Sequence, residues 1–246
     1  MDRRPGSPGS SKRAAAAEPP EGRSVSLARE RARVVALLAA EDAARSEGAR
    51  FVVGVDEAGR GALAGPVFAA AVAFPEGAVV PGLDDSKALA VEVREELAPR
   101  IRRVAAAWGV GFASAAEIDA RGIVPATFLA MRRALEVLAA SGEQPDFVLV
   151  DGFPIPSLRV PQRAVVRGDA SVACIAAASI LAKTSRDAVM RGLDAERPWY
   201  GFAAHKGYGS AAHLVALRRH GPSPDHRLSF AGVLSSGRTA STVAAA

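Results

Sequence analysis

The chain has 246 residues, 49% hydrophobic but only 5% aromatic, so it can bury a full-sized core made largely of Ala and Val. Thirty-one Lys and Arg against 26 Asp and Glu leave a formal charge of +5, a balance that favours a polyanionic partner. A single cysteine, Cys174, excludes an internal disulfide and a thiolate zinc site; no apolar run reaches the roughly 18–20 residues of a membrane span, and no secretory signal opens the chain, so a soluble, monomeric, cytoplasmic protein is expected.

Residues 1–23, MDRRPGSPGSSKRAAAAEPPEGR, have no hydrophobic period and read as a disordered basic tail. Over 24–48, Leu27, Val34, Leu37 and Leu38 share one helical face and Gly48 ends the pattern, which predicts an amphipathic lead-in helix. The main domain, 49–232, begins at FVVGVDEAGRG, where Phe51 to Val55 is a short apolar run of strand length. Val67 to Phe74 is a second buried strand. After the DDSK cluster, Leu89, Val93, Leu97 and Ile101 recur every four residues, with Pro99 expected to kink or break that helix. AAAWGVGFAS is a further strand, and Pro125 to Ala140 a helix stopped by Gly142. DFVLVDG is strongly strand-like and VPQRAVVRG weakly so. Ser171 to about Leu193 is a long helix, apolar nearly all round in its first half and therefore central. A last helix runs from the N-cap Ser210 to Arg218, Arg219 and His220, with His213 and His220 expected on its surface. Residues 233–246 read as a flexible tail. Interleaved strands and helices predict an α/β fold with a mixed central sheet.

Asp56 and Glu57 end the first strand, Asp151 ends the DFVLV strand, and Asp169 precedes the central helix. Strand ends are where open α/β sheets build their sites. Taken singly, each is explained by a turn or a helix cap. Taken together they suggest more, because two carboxylates about 4 Å apart repel by roughly 4 kcal/mol at an effective dielectric of 20. Four would need cations between them. Carboxylates without His or Cys suit hard ions such as Mg²⁺ or Mn²⁺, and a pair of those clamps the attacking and leaving oxygens of a phosphodiester. Spacing alone does not bring the four together. Around them, Gly59-Arg60-Gly61 lets backbone approach a ligand, and Lys87, Lys183 and Arg186 add positive charge. Lys183 is also placed to pair with Asp187, four residues on. Tyr208 stands beside His205 and Lys206 in a Gly-rich loop, an aromatic beside a cation that suits stacking on a sugar or base, although a lone Tyr in a loop is more often simply packed.

VDEAGRGALAGPV, LDDSKAL, FVLVDG, VVRGDASV, IAAASILAKTSRD, YGFAAHKGYGS and DHRLSF, in this order, resemble bacterial ribonuclease HII over about Phe51 to Phe230. The resemblance implies a ribonuclease H-like fold, a mixed sheet flanked by helices with a C-terminal helical segment. It also implies hydrolysis of the RNA strand of RNA–DNA hybrids and nicking 5′ to a ribonucleotide embedded in duplex DNA, leaving 5′-phosphate and 3′-hydroxyl ends. By position, Asp56, Glu57, Asp151 and Asp169 match the catalytic carboxylates that bind Mn²⁺ or Mg²⁺. Gly59, Arg60 and Gly61 match the motif at the ribonucleotide 2′-hydroxyl, Tyr208 the tyrosine that stacks on the deoxyribose 3′ of the ribonucleotide, and Lys87, Lys183 and Arg186 polar residues near the phosphates. Ala62 departs from the family, where Pro is usual. A replisome partner is possible, and its identity is not given by the sequence. A ribonuclease HIII-like enzyme, a catalytically silent nucleic-acid-binding module and a small-molecule phosphatase fit less well: Tyr208 disfavours the first, the full carboxylate set the second, and the lack of a DxDxT nucleophile motif the third.

Overall fold

The computed structural model describes residues 20–83, 86 and 89–234. Lys87 lies outside the described residues, as do most of the tails expected at 1–23 and 233–246. The chain divides into two units, Met1–Val35 and Ala36–Ala246. The described residues of the first all belong to helix α1 (Pro20–Ser46), whose later turns belong to the second.

The second unit carries a five-stranded sheet of β1 (Val52–Ala58), β2 (Val67–Ala73), β3 (Ala107–Ala113), β4 (Phe147–Asp151) and β5 (Gln162–Val165), ordered β3-β2-β1-β4-β5. The first three strands pair antiparallel, while β4 and β5 are added in parallel, so the sheet is mixed as expected. Between and after the strands come α2 (Val91–Val104), α3 (Ala115–Arg121), α4 (Ile123–Ala139), α5 (Gly168–Ser171), α6 (Ala173–Glu196), a 3₁₀ turn (Pro198–Tyr200), α7 (Phe202–His205) and α8 (Ala211–His220).

Two helices cover the two faces, and strand glycines set how close they come. A Cβ on Gly109 or Gly111 of β3 would lie 2.2 Å or 2.4 Å from a main-chain oxygen of α4, so only glycine admits that helix. On the other face, a Cβ on Gly54 would lie 2.4 Å from the carbonyl carbon of Cys174 in α6. Alternation along β1 then sends Val53 and Val55 into the core shared with α4, and Gly54 and Asp56 toward α6. The start of α6 has no capping side chain of its own; the buried Glu41 of α1 instead accepts the Cys174 amide at 2.9 Å. Among the described residues no helix is long and apolar enough to cross a membrane.

Several elements depart from expectation. β1 runs one residue past the expected end at Glu57, because β2 supplies ladder partners for Asp56, Glu57 and Ala58. α2 runs through Pro99 unbroken: Arg94, Leu97, Ala98 and Ile101 are buried, while Pro99, which has no amide to donate to the Glu95 carbonyl, lies on the exposed side with Glu95. α3 was not foreseen, although Ser114 and Glu117 form a reciprocal capping box at its start. The expected helix start at Ser171 divides into α5 and, from Ala173, α6. His213 is not on the surface. It is wholly buried, stacked on His205 with ring centres 4.4 Å apart and bonded to His226.

Candidate active site

In the parallel pair, Val55 of β1 lies opposite Val150 of β4, so Asp56 and Asp151 occupy the next rung, on the face covered by α6. Parallel pairing of the two strand ends is what makes neighbours of residues so distant in sequence. Asp169 arrives from α5. Arg167 there takes a left-handed conformation (φ 57°), turning the chain so that the Gly168 amide donates to Asp151 Oδ1 at 2.7 Å. A side chain on Gly168 would meet Ile175 at 2.6 Å. Carboxylate oxygens of Asp56, Asp151 and Asp169 all lie within 4.8 Å of one another, an arrangement that could hold a metal ion. Asp56 and Asp169 are buried, and Asp151 is half-buried.

Asp56 shows the cost of this convergence. Burial first, then the like charges of Glu57 and Asp151, push its carboxyl well above the ordinary range, despite bonds from Ser179 and the Glu57 amide. A divalent cation among the three aspartates would remove that penalty, and an all-oxygen donor set is what Mg²⁺ and Mn²⁺ prefer. Glu57, one residue along the strand, points to the other face and pairs with Arg60 at 3.2 Å. It lines two adjoining clefts. One, of about 380 Å³, contains Asp56, Asp151, Gly59, Arg60, Gly61, Lys183 and Tyr208. The other, of about 410 Å³, has largely apolar walls that include Phe128, Met131 and Phe153.

The two outer glycines of the Gly59–Gly61 motif differ. Gly59 has φ 96°, and a Cβ there would lie 2.0 Å from Arg186 Nε. Among the described residues, a Cβ on Gly61 would meet nothing within 4 Å, so its backbone is open to a ligand. Behind this loop lie two wholly buried arginines. Arg186 donates to the carbonyls of Pro66, Ala64 and Lys206 at 3.0, 3.1 and 2.9 Å. Arg227 donates to those of Gly65, Arg60 and Gly59 at 2.9, 2.8 and 2.8 Å. Burial, then the neighbouring Arg186, pull the Arg227 guanidinium down to about 9. Arg186, expected near the phosphates, thus lies beneath the loop. Arg227 was given no role by sequence reasoning; its only signal was the DHRLSF segment.

Tyr208 is 40% exposed and lies over the Arg186 guanidinium at 5.4 Å and the Lys183 ammonium at 5.9 Å from its ring centre. Lys183 also pairs with Asp187 at 2.8 Å. The loop of Tyr208 locks onto the Gly59–Pro66 segment: Leu63 and Ala64 donate to the Gly207 carbonyl at 2.8 and 3.2 Å, and a Cβ on Gly207 would lie 2.4 Å from the Ala64 carbonyl oxygen. The structure therefore gathers Asp56, Glu57, Asp151, Gly59, Arg60, Gly61, Lys183 and Tyr208 around one cleft, with Asp169 against the aspartates and Arg186 below.

The family model described as Ribonuclease HII matches residues 53–233. A Ribonuclease HII of Syntrophotalea carbinolica is 53% identical over 188 residues, 76% of this chain and 88% of that protein. Among solved structures, ribonuclease H2 from Pyrococcus horikoshii OT3 superposes with a TM-score of 0.66 at 24% identity, covering 76% of this chain and 97% of the other. Bst-RNase HIII in complex with Mn²⁺ superposes at 0.61 and 20% identity, covering 79% and 71%. At those identities the structural likeness is one of fold, and the fold is ribonuclease H-like.

Proposed function

Because this chain belongs to the ribonuclease HII family, endonucleases that hydrolyse the RNA strand of RNA–DNA hybrids, we propose that it also nicks duplex DNA 5′ to a single embedded ribonucleotide, leaving 5′-phosphate and 3′-hydroxyl ends. Residues 49–232 are the catalytic domain in this reading, and the enzyme works as a cytoplasmic monomer. The observation that carries it is the placing of three convergent aspartates beside a glycine backbone open to a ligand and an exposed tyrosine.

Asp56, Asp151 and Asp169, with Glu57 beside them, are the residues that would hold Mn²⁺ or Mg²⁺. The structure of Bst-RNase HIII with Mn²⁺ supports the choice of ion class. When bound, such ions lower the pKa of a water and offset charge on the phosphodiester oxygens. The chain's own residues do the rest. Gly168 and Ser179 orient Asp151 and Asp56. Selection of RNA over DNA has to rest on the 2′-hydroxyl. The main chain at Gly59–Gly61, pinned from behind by Arg186 and Arg227, is the surface that contacts it, with Arg60 held by Glu57. Tyr208, backed by two cations, presents its outer face to the deoxyribose on the 3′ side. Lys183 and Lys87 contribute positive charge toward the phosphates.

The test is a nicking assay on duplex DNA holding one ribonucleotide, with Mg²⁺, Mn²⁺ or EDTA. Metal-dependent cleavage on the 5′ side of that ribonucleotide is expected. Binding without a nick under every divalent ion would overturn the assignment in favour of a silent binding module.

A further inference from the structure

We propose that His213 and His226 are positioning residues that hold Tyr208 in place through its main-chain carbonyl. This rests on the reading of Tyr208 as the residue that stacks at the ribonucleotide–DNA junction.

The hydrogen bonds fix the tautomers. Ser223 N, an obligate donor, lies 2.9 Å from His226 Nδ1, so that nitrogen accepts and the ring's proton is on Nε2. His226 Nε2 is 3.0 Å from His213 Nε2, which must therefore accept, leaving the His213 proton on Nδ1. That proton points at the Tyr208 carbonyl, 2.9 Å away, which also accepts the Ser210 amide. The result is a directed relay of two neutral imidazoles, from the Ser223 amide to Tyr208. It is enclosed by aromatic rings: Phe202 meets His213 edge-on at 5.5 Å, Tyr200 meets His226 at 4.8 Å, and His205 stacks on His213. His205 has a fixed tautomer as well, accepting the Gly207 amide at Nδ1 and donating from Nε2 to the Tyr200 carbonyl. Three of the chain's four histidines thus lie behind one exposed tyrosine. An apolar core would pack as well without them. What they add is a directional bond that ends on Tyr208, while Arg186 and Lys183 support its ring.

The experiment compares His213→Leu, which keeps apolar volume but has no donor, with His213→Asn, whose side-chain amide places an N–H where Nδ1 was. Both are assayed on duplex DNA with a single ribonucleotide and on a uniform RNA–DNA hybrid, alongside Tyr208→Ala and the Tyr208→Ala/His213→Leu double variant. We expect His213→Leu to lose about ten-fold on the single ribonucleotide and about two-fold or less on the hybrid. His213→Asn should recover most of that loss, and the double variant should be no slower than Tyr208→Ala. Equal losses of His213→Leu on both substrates, or full additivity in the double variant, would overturn the proposal. A defective Tyr208→Ala beside a normal His213→Leu would refute the relay alone, whereas a normal Tyr208→Ala would refute the junction reading and the positioning role with it. Should His213→Leu fail to fold, ¹⁵N spectra of the wild-type histidines decide: a proton on His226 Nδ1 or on His213 Nε2 overturns the relay.

Discussion

Alanine at Gly61 and at Gly59 should separate substrate contact from scaffold, although the two sites are two residues apart. At Gly59 the new methyl would lie 2.0 Å from Arg186 Nε on a backbone with φ 96°. Arg186 would have to move, yet it is wholly buried and bonded to three carbonyls. Losing one or two charge-assisted bonds, at about 1.5–3 kcal/mol each, and straining the backbone by about 1–2 kcal/mol gives a destabilisation on the order of 2.5–8 kcal/mol. For a chain of this size that lowers Tm by roughly 5–32 °C. At Gly61 the methyl meets nothing, so stability should stay within about 0.5 kcal/mol. It would, however, stand where the substrate approaches the main chain. Loss of one contact to the 2′-hydroxyl, at about 1–3 kcal/mol, lowers kcat/KM roughly five- to 150-fold. Thermal melts and single-ribonucleotide nicking of both variants supply the readings. A Gly61→Ala enzyme with more than half the wild-type rate, or a Gly59→Ala protein with wild-type Tm, would refute the reasoning.

Asp151→Asn should leave the fold intact and cut turnover by more than ten-fold, a loss above about 1.4 kcal/mol; its Tm should also respond less than wild type to added Mn²⁺, because a ligand that binds only the folded state stabilises it. Tyr208→Ala should lose about ten- to a hundred-fold on a single embedded ribonucleotide, from roughly 1–3 kcal/mol of stacking, and less on a uniform hybrid. Acid should destabilise the protein through His226, which burial and the adjacent His213 hold down to about 4 in the folded state. The unfolded residue takes up a proton near pH 6.5 and the folded one does not, so this contribution is complete above about 6.5 and lost as pH falls toward 4, by up to about 1.4 kcal/mol per pH unit. Melting His226→Gln beside wild type over that range should give the flatter curve for the variant, and parallel curves would contradict the assignment.

What the sequence disclosed depended on whether a residue's environment could be guessed from its neighbours. The strand-end acids were visible because charge after an apolar run is unusual, and the sheet class followed from alternating elements. That Asp56 and Asp151 share a rung was not visible, since it depends on the parallel register of β1 and β4, and no local pattern encodes register between distant strands. Arg186 was read as phosphate-facing, and Arg227 drew no reading at all, because arginine is almost never fully buried unless paired. Here the partners are carbonyls of a loop distant in sequence. His213 was misplaced because a polar residue near a helix start reads as exposed, although it shares the buried face of α8 with Ala216 and Leu217, where the Tyr208 carbonyl and His226 satisfy its ring nitrogens. Pro99 failed in the other direction, because a local rule was outweighed by the buried face of its own helix.

Under the proposed function, the two buried arginines also account for how a loop rich in glycine would discriminate. Glycine would make residues 59–65 the most mobile part of the site, and a mobile backbone would have to lose that freedom on each encounter with substrate. Burial of the Arg227 guanidinium is unfavourable, as its lowered pKa shows, and its three bonds to carbonyls serve to offset that cost. Rigidity is then the better account of the pair. Arg227 grips both carbonyls that flank the Arg60–Gly61 peptide's approach, those of Gly59 and Arg60, and Arg186 ties the far end of the loop to Lys206 beside Tyr208. The glycine backbone gives close approach without a side chain, and the arginines remove the freedom that glycine would otherwise bring. Two fixed positive charges below the loop and a cluster of aspartates beside it would, in that reading, meet a phosphodiester with little rearrangement, which is what preorganised electrostatic stabilisation requires.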